Sequence, residues 1–141
     1  MIRPAGLQDL DALVAIENRS FDVDRFSRRS FRYLLTKANA ETLAYEEQGR
    51  VLAYAMLLFN TGTSLARLYS LAVDPVLRGK GVGSKLLAHL IEAARARGDT
   101  EVALSSQTHA EGFYRAHGFL PEGDEFLDAG IPHRTMRRVL R

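Results

Sequence analysis

The sequence contains no cysteine and no tryptophan. Without thiols there is no disulfide, no thiolate metal site and no cysteine nucleophile, and the absence fits a cytoplasmic protein. Proline is sparse, at four residues. No stretch approaches the roughly 18 consecutive apolar residues of a membrane span. The segment Met1-Ile2-Arg3-Pro4 lacks the apolar run of a secretory signal. An excess of one charge is missing too. Nineteen Lys and Arg against seventeen Asp and Glu leave a formal net charge of +2, so nothing demands nucleic acid or a membrane surface as partner.

What is present suits one folded domain. The 141 residues are 46% hydrophobic and 26% charged, enough to bury a core without the excess charge of a disordered chain. No internal repeat or low-complexity linker interrupts it, so residues 1–141 are read as a single domain, monomeric or homodimeric.

Hydrophobic spacing predicts the elements. Leu10, Leu13 and Val14 recur at helical spacing over residues 7–19. Ser27 is a good N-cap for a second helix whose apolar face is Phe31, Leu34 and Leu35. Residues 42–59 change period and read as a hairpin around Gln48-Gly49-Arg50, followed by a strand over 65–73 that Asp74-Pro75 ends. Val82, Leu86, Leu87, Leu90, Ile91 and Ala94 form one stripe of a long helix, with Arg95 and Arg97 near its C-terminus and Gly98 just past it. A short strand over 101–105, a short helix over 110–117, and two strands within 119–139 turning at Gly130-Ile131-Pro132 complete the chain. The order β α α β β β α β α β β describes a mixed α/β sheet of about seven strands with helices on both faces. Its strand–helix–strand crossover makes two strands parallel.

The segment Arg78-Gly79-Lys80-Gly81-Val82-Gly83 carries the chemistry. A buried strand enters a loop of three alternating glycines, and the loop opens a long helix. Glycines let several backbone N–H groups converge and a ligand come close. The helix N-terminus and two side-chain cations add positive charge, which together suit a pyrophosphate. A Walker A string is absent, and a dinucleotide fingerprint beginning at Gly79 would need glycine where Ser84 stands.

These residues resemble the signature of the GCN5-related N-acetyltransferase (GNAT) superfamily, Gln/Arg-x-x-Gly-x-Gly/Ala, through Arg78, Gly81 and Gly83. Tyr114-Arg115-Ala116-His117-Gly118-Phe119 resembles the family's Tyr-x-x-x-Gly-Phe ending. The front half is similar to ribosomal-protein alanine acetyltransferases. The back half, Phe126 to His133, is similar to acetyltransferases of the ElaA and YjcF type. The resemblance implies the acyl-CoA N-acyltransferase fold and direct acetyl transfer from acetyl-CoA to an amine. That amine would be a protein N-terminus, a lysine, or a small molecule such as a polyamine, amino sugar or antibiotic. A non-catalytic acetyl-CoA sensor is the alternative from another class.

The resemblance also implies roles. Leu71, Ala72 and Val73 would meet the cofactor through main chain, and an N–H of Leu71 or Ala72 would hold the oxyanion. Arg78, Gly79, Lys80, Gly81, Val82, Gly83 and Ser84 would hold its phosphates. Gln107 stands where N-terminal acetyltransferases carry Asn, seven residues before the tyrosine. Tyr114 would be the acid for the leaving thiolate. The base stays open between Glu17, Glu101, His109, His117 and His133, with Glu17 and His133 foremost, and with a chain of waters as a further possibility. Phe21, Asp22, Asp24 and Phe26 would border the acceptor. The spacing of the histidines suits no metal site.

Overall fold

Two tight turns set the register of the sheet. Gln48 and Gly49 have φ of 52° and 77°, and Ala129 and Gly130 have φ of 52° and 76°. Two successive residues at positive φ are what a two-residue hairpin needs for its turn to match strand twist. The first turn joins β2 (Ala40–Glu47) to β3 (Arg50–Phe59), and the second joins β6 (Leu120–Asp128) to β7 (Ile131–Val139). The second turn falls one residue earlier than the sequence suggested, because Ile131 and Pro132 already pair with Asp128 and Leu127.

The structure is a computed structural model that describes residues 1–20, 27–36, 39–60 and 62–140. Its remaining elements are β1 (Ile2–Pro4), α1 (Leu10–Ser20), α2 (Arg28–Thr36), β4 (Leu65–Val73), α3 (Val82–Ala96), β5 (Glu101–Gln107) and α4 (Glu111–Ala116). A 3-10 turn precedes α1 at Leu7–Asp9 and another precedes α4 at Thr108–Ala110, so each of these helices begins later than its apolar spacing suggested. β5 runs two residues beyond its expected end and thereby takes in Gln107.

The seven strands form one sheet in the order β1-β2-β3-β4-β5-β7-β6. All neighbours are antiparallel except β4 and β5, which α3 connects in parallel. Helices cover both faces. On one, Leu86, Leu87, Leu90, Ile91 and Ala94 of α3 pack on Ala55, Leu57, Leu68, Leu104 and Met136. On the other, Leu10, Leu13 and Ile16 of α1 join Phe31 and Leu34 of α2 over Tyr54, Met56 and Ala72. From Ala53 to Phe59 the alternation along β3, with odd positions to α3 and even positions to α1, follows from the two-residue period of a strand buried on both faces.

The start of α2 and the end of α3 are where the sequence placed them. The Ser30 N–H donates to Ser27 Oγ (3.1 Å) at the start of α2. Gly98, with φ of 87°, stops α3 just after Arg97. Arg97 spends its charge over the Phe59 ring, 3.6 Å from the centroid, while Arg95 pairs with Glu92.

Leu90 is 1% exposed in the larger core. Leu90→Ala is expected to lower unfolding free energy by about 2–5 kcal/mol, measured by urea denaturation with the slope unchanged.

Candidate active site

The ladder between β4 and β5 covers only Leu65↔Glu101, Ala66↔Val102 and Arg67↔Ala103. Yet β4 continues to Val73 and β5 to Gln107. Past Arg67 the two strands part, and the β5-facing side of residues 68–73 has no strand beside it. A bulge marks the parting: Met56 pairs with Ser70 and Leu57 with Leu68, so Tyr69 is the extra residue of β4 in that register. One extra residue bends the strand and shifts which side chains face each way. Leu68 therefore joins the α3 face with Leu71 and Val73, while Ala72 joins the α1 face.

The gap is a cleft of about 390 Å³ lined from both strands, from α1 and α4, and from the β6–β7 hairpin. Six residues singled out from the sequence meet there: Glu17, Leu71, Gln107, His109, Tyr114 and His133. Tyr114 projects from α4, its ring edge-on to Phe113 (5.1 Å between centroids) and to Phe119 (5.9 Å). Burial pushes the phenol up to about 12, so it stays protonated well above neutral pH.

Glu17 is 1% exposed at the end of α1. It accepts a hydrogen bond from Tyr54 Oη. Tyr54 is itself fully buried, and desolvation, followed by the charge of Glu17, raises its phenol. Tyr54 Oη also lies 2.8 Å from Ser70 Oγ. His133 is buried, stacked on Phe126 at 6.0 Å, with Nδ1 2.7 Å from the Ile131 carbonyl. A carbonyl only accepts, so Nδ1 carries the proton and Nε2 is the basic nitrogen of the neutral ring.

The glycine loop lies at the end of β4. Gly79 and Gly81 have φ of 80° and 79°, and a side chain added at either would meet nothing within 4 Å. The loop is therefore glycine for conformation, not for packing. Arg78, Gly79, Lys80 and Gly81 are exposed, whereas the Val82 side chain is buried in the core and only its backbone remains for a ligand. The amides of the first turn of α3 are those a helix leaves without intrahelical acceptors. Gly83 lies against Val73 and Phe113, with a built Cβ 3.6 Å from each, so the loop is packed directly onto the open stretch of β4. Ser84 Oγ is 3.0 Å from His117 Nε2.

Asp74 anchors the approach to this loop. It accepts from the Val76 N–H (3.1 Å) and pairs with Arg19 (2.6 Å). The Val76 hydrogen bond is the largest cause holding its carboxyl below the usual range, and Arg19 adds to it.

Three sequence candidates lie elsewhere or differ in role. Glu101 sits at the paired end of β5 and accepts from Arg137 (3.2 Å), so it is removed from the cleft. His117 is taken up by Ser84 and the Phe113 ring. His109 lines the cleft but is exposed. Phe21, Asp22, Asp24 and Phe26 lie outside the described residues. The structure adds Arg67, Tyr69, Ser70 and Asp128 to the cleft lining, and Tyr54 behind it. Alternating strand residues gave no sign of these, except that a tyrosine inside a buried strand calls for a hydrogen-bond partner. Among the described residues no group of three or more His, Cys, Asp or Glu could hold a metal ion, and no helix is long and apolar enough to cross a membrane.

The fold and this cleft define an acyltransferase of the acetyltransferase class. Residues 8–140 match the model of the acetyltransferase (GNAT) domain, and the chain belongs to that family. It is 31% identical over 121 residues to a UPF0039 protein of Schizosaccharomyces pombe, covering 84% of this chain and 74% of the relative. It is 36% identical over 67 residues to protein ElaA of Escherichia coli, covering 47% of this chain and 44% of the relative. Among solved structures, the ribosomal-protein-S18-alanine N-acetyltransferase of Escherichia coli superposes with a TM-score of 0.85 at 23% identity, over 99% of this chain and 92% of that one. An aminoglycoside 6'-N-acetyltransferase complexed with coenzyme A superposes with a TM-score of 0.86 at 14% identity, over 99% and 96%. These two share the fold and differ in acceptor.

Stability should report Asp74. Its folded carboxyl titrates below the unfolded value of about 3.9, so its contribution is full above that value and is lost as pH falls through the folded one. Asp74→Asn should therefore be less stable than the parent at neutral pH. The gap should close below about pH 4, as followed by thermal melts monitored by circular dichroism.

Proposed function

We infer that this enzyme transfers the acetyl group of acetyl-CoA directly to a primary amine in the cleft between β4 and β5. One observation carries the reading: the unpaired stretch of β4 leads, through the single 3-10 turn Pro75–Leu77, into a loop whose Gly79 and Gly81 take up positive φ over open space. A thioester arm needs an extended partner, and a diphosphate needs converging amides. The two are joined end to end here.

The residues fit that substrate. Amides of residues 79–84, with the cations of Arg78 and Lys80, take the diphosphate. The main chain of Leu71, Ala72 and Val73 pairs with the pantetheine arm, and an N–H of Leu71 or Ala72 receives the oxyanion. Gln107, across the gap on β5, offers an amide to the same arm. Tyr114 holds a proton that it gives to the departing thiolate. Glu17 is a buried carboxylate facing the cleft, which favours an acceptor arriving as an ammonium ion. It takes that ion's proton to free the lone pair. His133, with Nε2 basic, faces the same space as a second acceptor of protons.

A cationic primary amine is common to protein N-termini, lysines and polyamines, and a thiol-release assay with peptides and free polyamines separates them. The protein acts in the cytoplasm in this reading, as its thiol-free composition suggests.

Combining Arg78→Glu with Gly81→Val should weaken coenzyme A binding at least about a hundredfold; unchanged affinity by calorimetry removes the loop from the site. Tyr114→Phe should lower kcat by roughly a hundredfold or more with little change in coenzyme A affinity. Full activity in that variant removes the phenol from the chemistry.

A further inference from the structure

Three polar side chains from three elements line up at the bulge: Ser70 on β4, Tyr54 on β3 and Glu17 on α1. The directions of their hydrogen bonds follow from counting protons. A phenol has one, and Tyr54 gives it to Glu17. A carboxylate has none to give back. The 2.8 Å contact between Tyr54 Oη and Ser70 Oγ must then be donated by Ser70. Both bonds point the same way, from Ser70 through Tyr54 to Glu17. Ser70 lines the cleft and is half-buried, whereas Tyr54 is fully buried behind it. With its proton committed to Tyr54, Ser70 Oγ offers lone pairs, and an ammonium N–H is the partner those lone pairs suit.

We propose that Ser70 and Tyr54 form a proton relay that carries the acceptor's ammonium proton from the cleft to Glu17. The relay rests on the acetyl-transfer reading, in which the acyl carbonyl lies at the main chain of Leu71 or Ala72, next to Ser70 in the chain. An amine approaching that carbonyl passes the Ser70 hydroxyl. Its N–H proton goes to Ser70 Oγ as the Ser70 proton goes to Tyr54 Oη and the Tyr54 proton goes to Glu17. Each hydroxyl gains one proton and loses one, so neither ionises, and the products are a neutral amine and a protonated Glu17. The amine then attacks, the C–S bond breaks, and Tyr114 protonates the thiolate. The acylated nitrogen gives one of its two protons to the Tyr114 oxygen and keeps the other in the amide, and Glu17 releases its proton to solvent. The raised phenol of Tyr54 agrees with a hydroxyl that hands protons on without becoming a phenolate.

In this arrangement Tyr54 is a positioning residue, because it reaches the substrate only through Ser70. Arg67 and Tyr69 from β4, His109, Tyr114 from α4, Asp128 from β6 and His133 from β7 also face this cleft. Their titration is common to the parent and the variants, so the comparison isolates the relay.

The test is the pH profile of kcat/KM, by thiol release from acetyl-CoA, with an alanine-initiated hexapeptide and with spermidine. Ser70→Ala cuts the relay at the cleft and leaves the Tyr54–Glu17 bond in place. Tyr54→Phe cuts it in the middle, and Ser70→Thr keeps the hydroxyl. In the alanine and phenylalanine variants kcat/KM should fall at least about thirtyfold at pH 7. The deficit should shrink about tenfold per pH unit toward the acceptor's own pKa, since free amine no longer needs the relay. The threonine variant should retain the parental profile, and coenzyme A affinity should be unchanged throughout. A parental profile in Ser70→Ala, or a deficit that does not change with pH, overturns the relay while leaving acetyl transfer intact. No thiol release from the parent with either acceptor overturns the transfer reading and the relay with it.

Discussion

The structure depends on the early end of the β4–β5 ladder. Three residue pairs hold the strands together, and then they separate. In a sheet interior the unpaired backbone groups would be costly. Here that cost is offset by what surrounds the gap. β3 pairs with β4 as far as Val73 and β7 pairs with β5 along its whole length. Each diverging strand is thus held from its far side. The edge of β4 beyond Arg67 is left without a neighbouring strand.

The cleft is tied to both cores. Leu71 and Val73 pack toward α3, and Ala72 packs toward α1. Gly83 at the start of α3 touches Val73. A shift of β4 would therefore move the glycine loop, the open strand edge and the Glu17–Tyr54–Ser70 network together. The Arg19–Asp74 pair fixes the same corner, joining α1 to the turn after β4. Placing donors and acceptors on one strand gives the preorganisation that acyl transfer needs.

Much of the frame could be read from residue order. The stripe Val82, Leu86, Leu87, Leu90, Ile91 and Ala94 is the buried face of α3, and the Gln48-Gly49 turn fixes its hairpin. The glycine loop was readable because positive φ restricts residue choice so sharply. The bulge at Tyr69 was not, since it depends on how β3 and β4 pair rather than on either strand alone. Tyr54 and Ser70 were passed over for the same reason: alternation says which face a residue takes, not which partner waits there. Glu101 went the other way. Its partner Arg137 lies 36 residues on, and only the β5–β7 pairing brings them together. Glu17 shares the helical spacing of Leu10, Leu13 and Val14, so its candidacy was legible, but its partner Tyr54 on β3 was not.

Amide hydrogen exchange in the presence and absence of coenzyme A addresses the opened strand most directly. Protection should rise in two segments together, residues 70–74 along the free edge of β4 and residues 79–84 in the loop, with β2 and β3 unaffected. Protection that rises elsewhere, or in the loop without the strand edge, would contradict a thioester arm laid along β4.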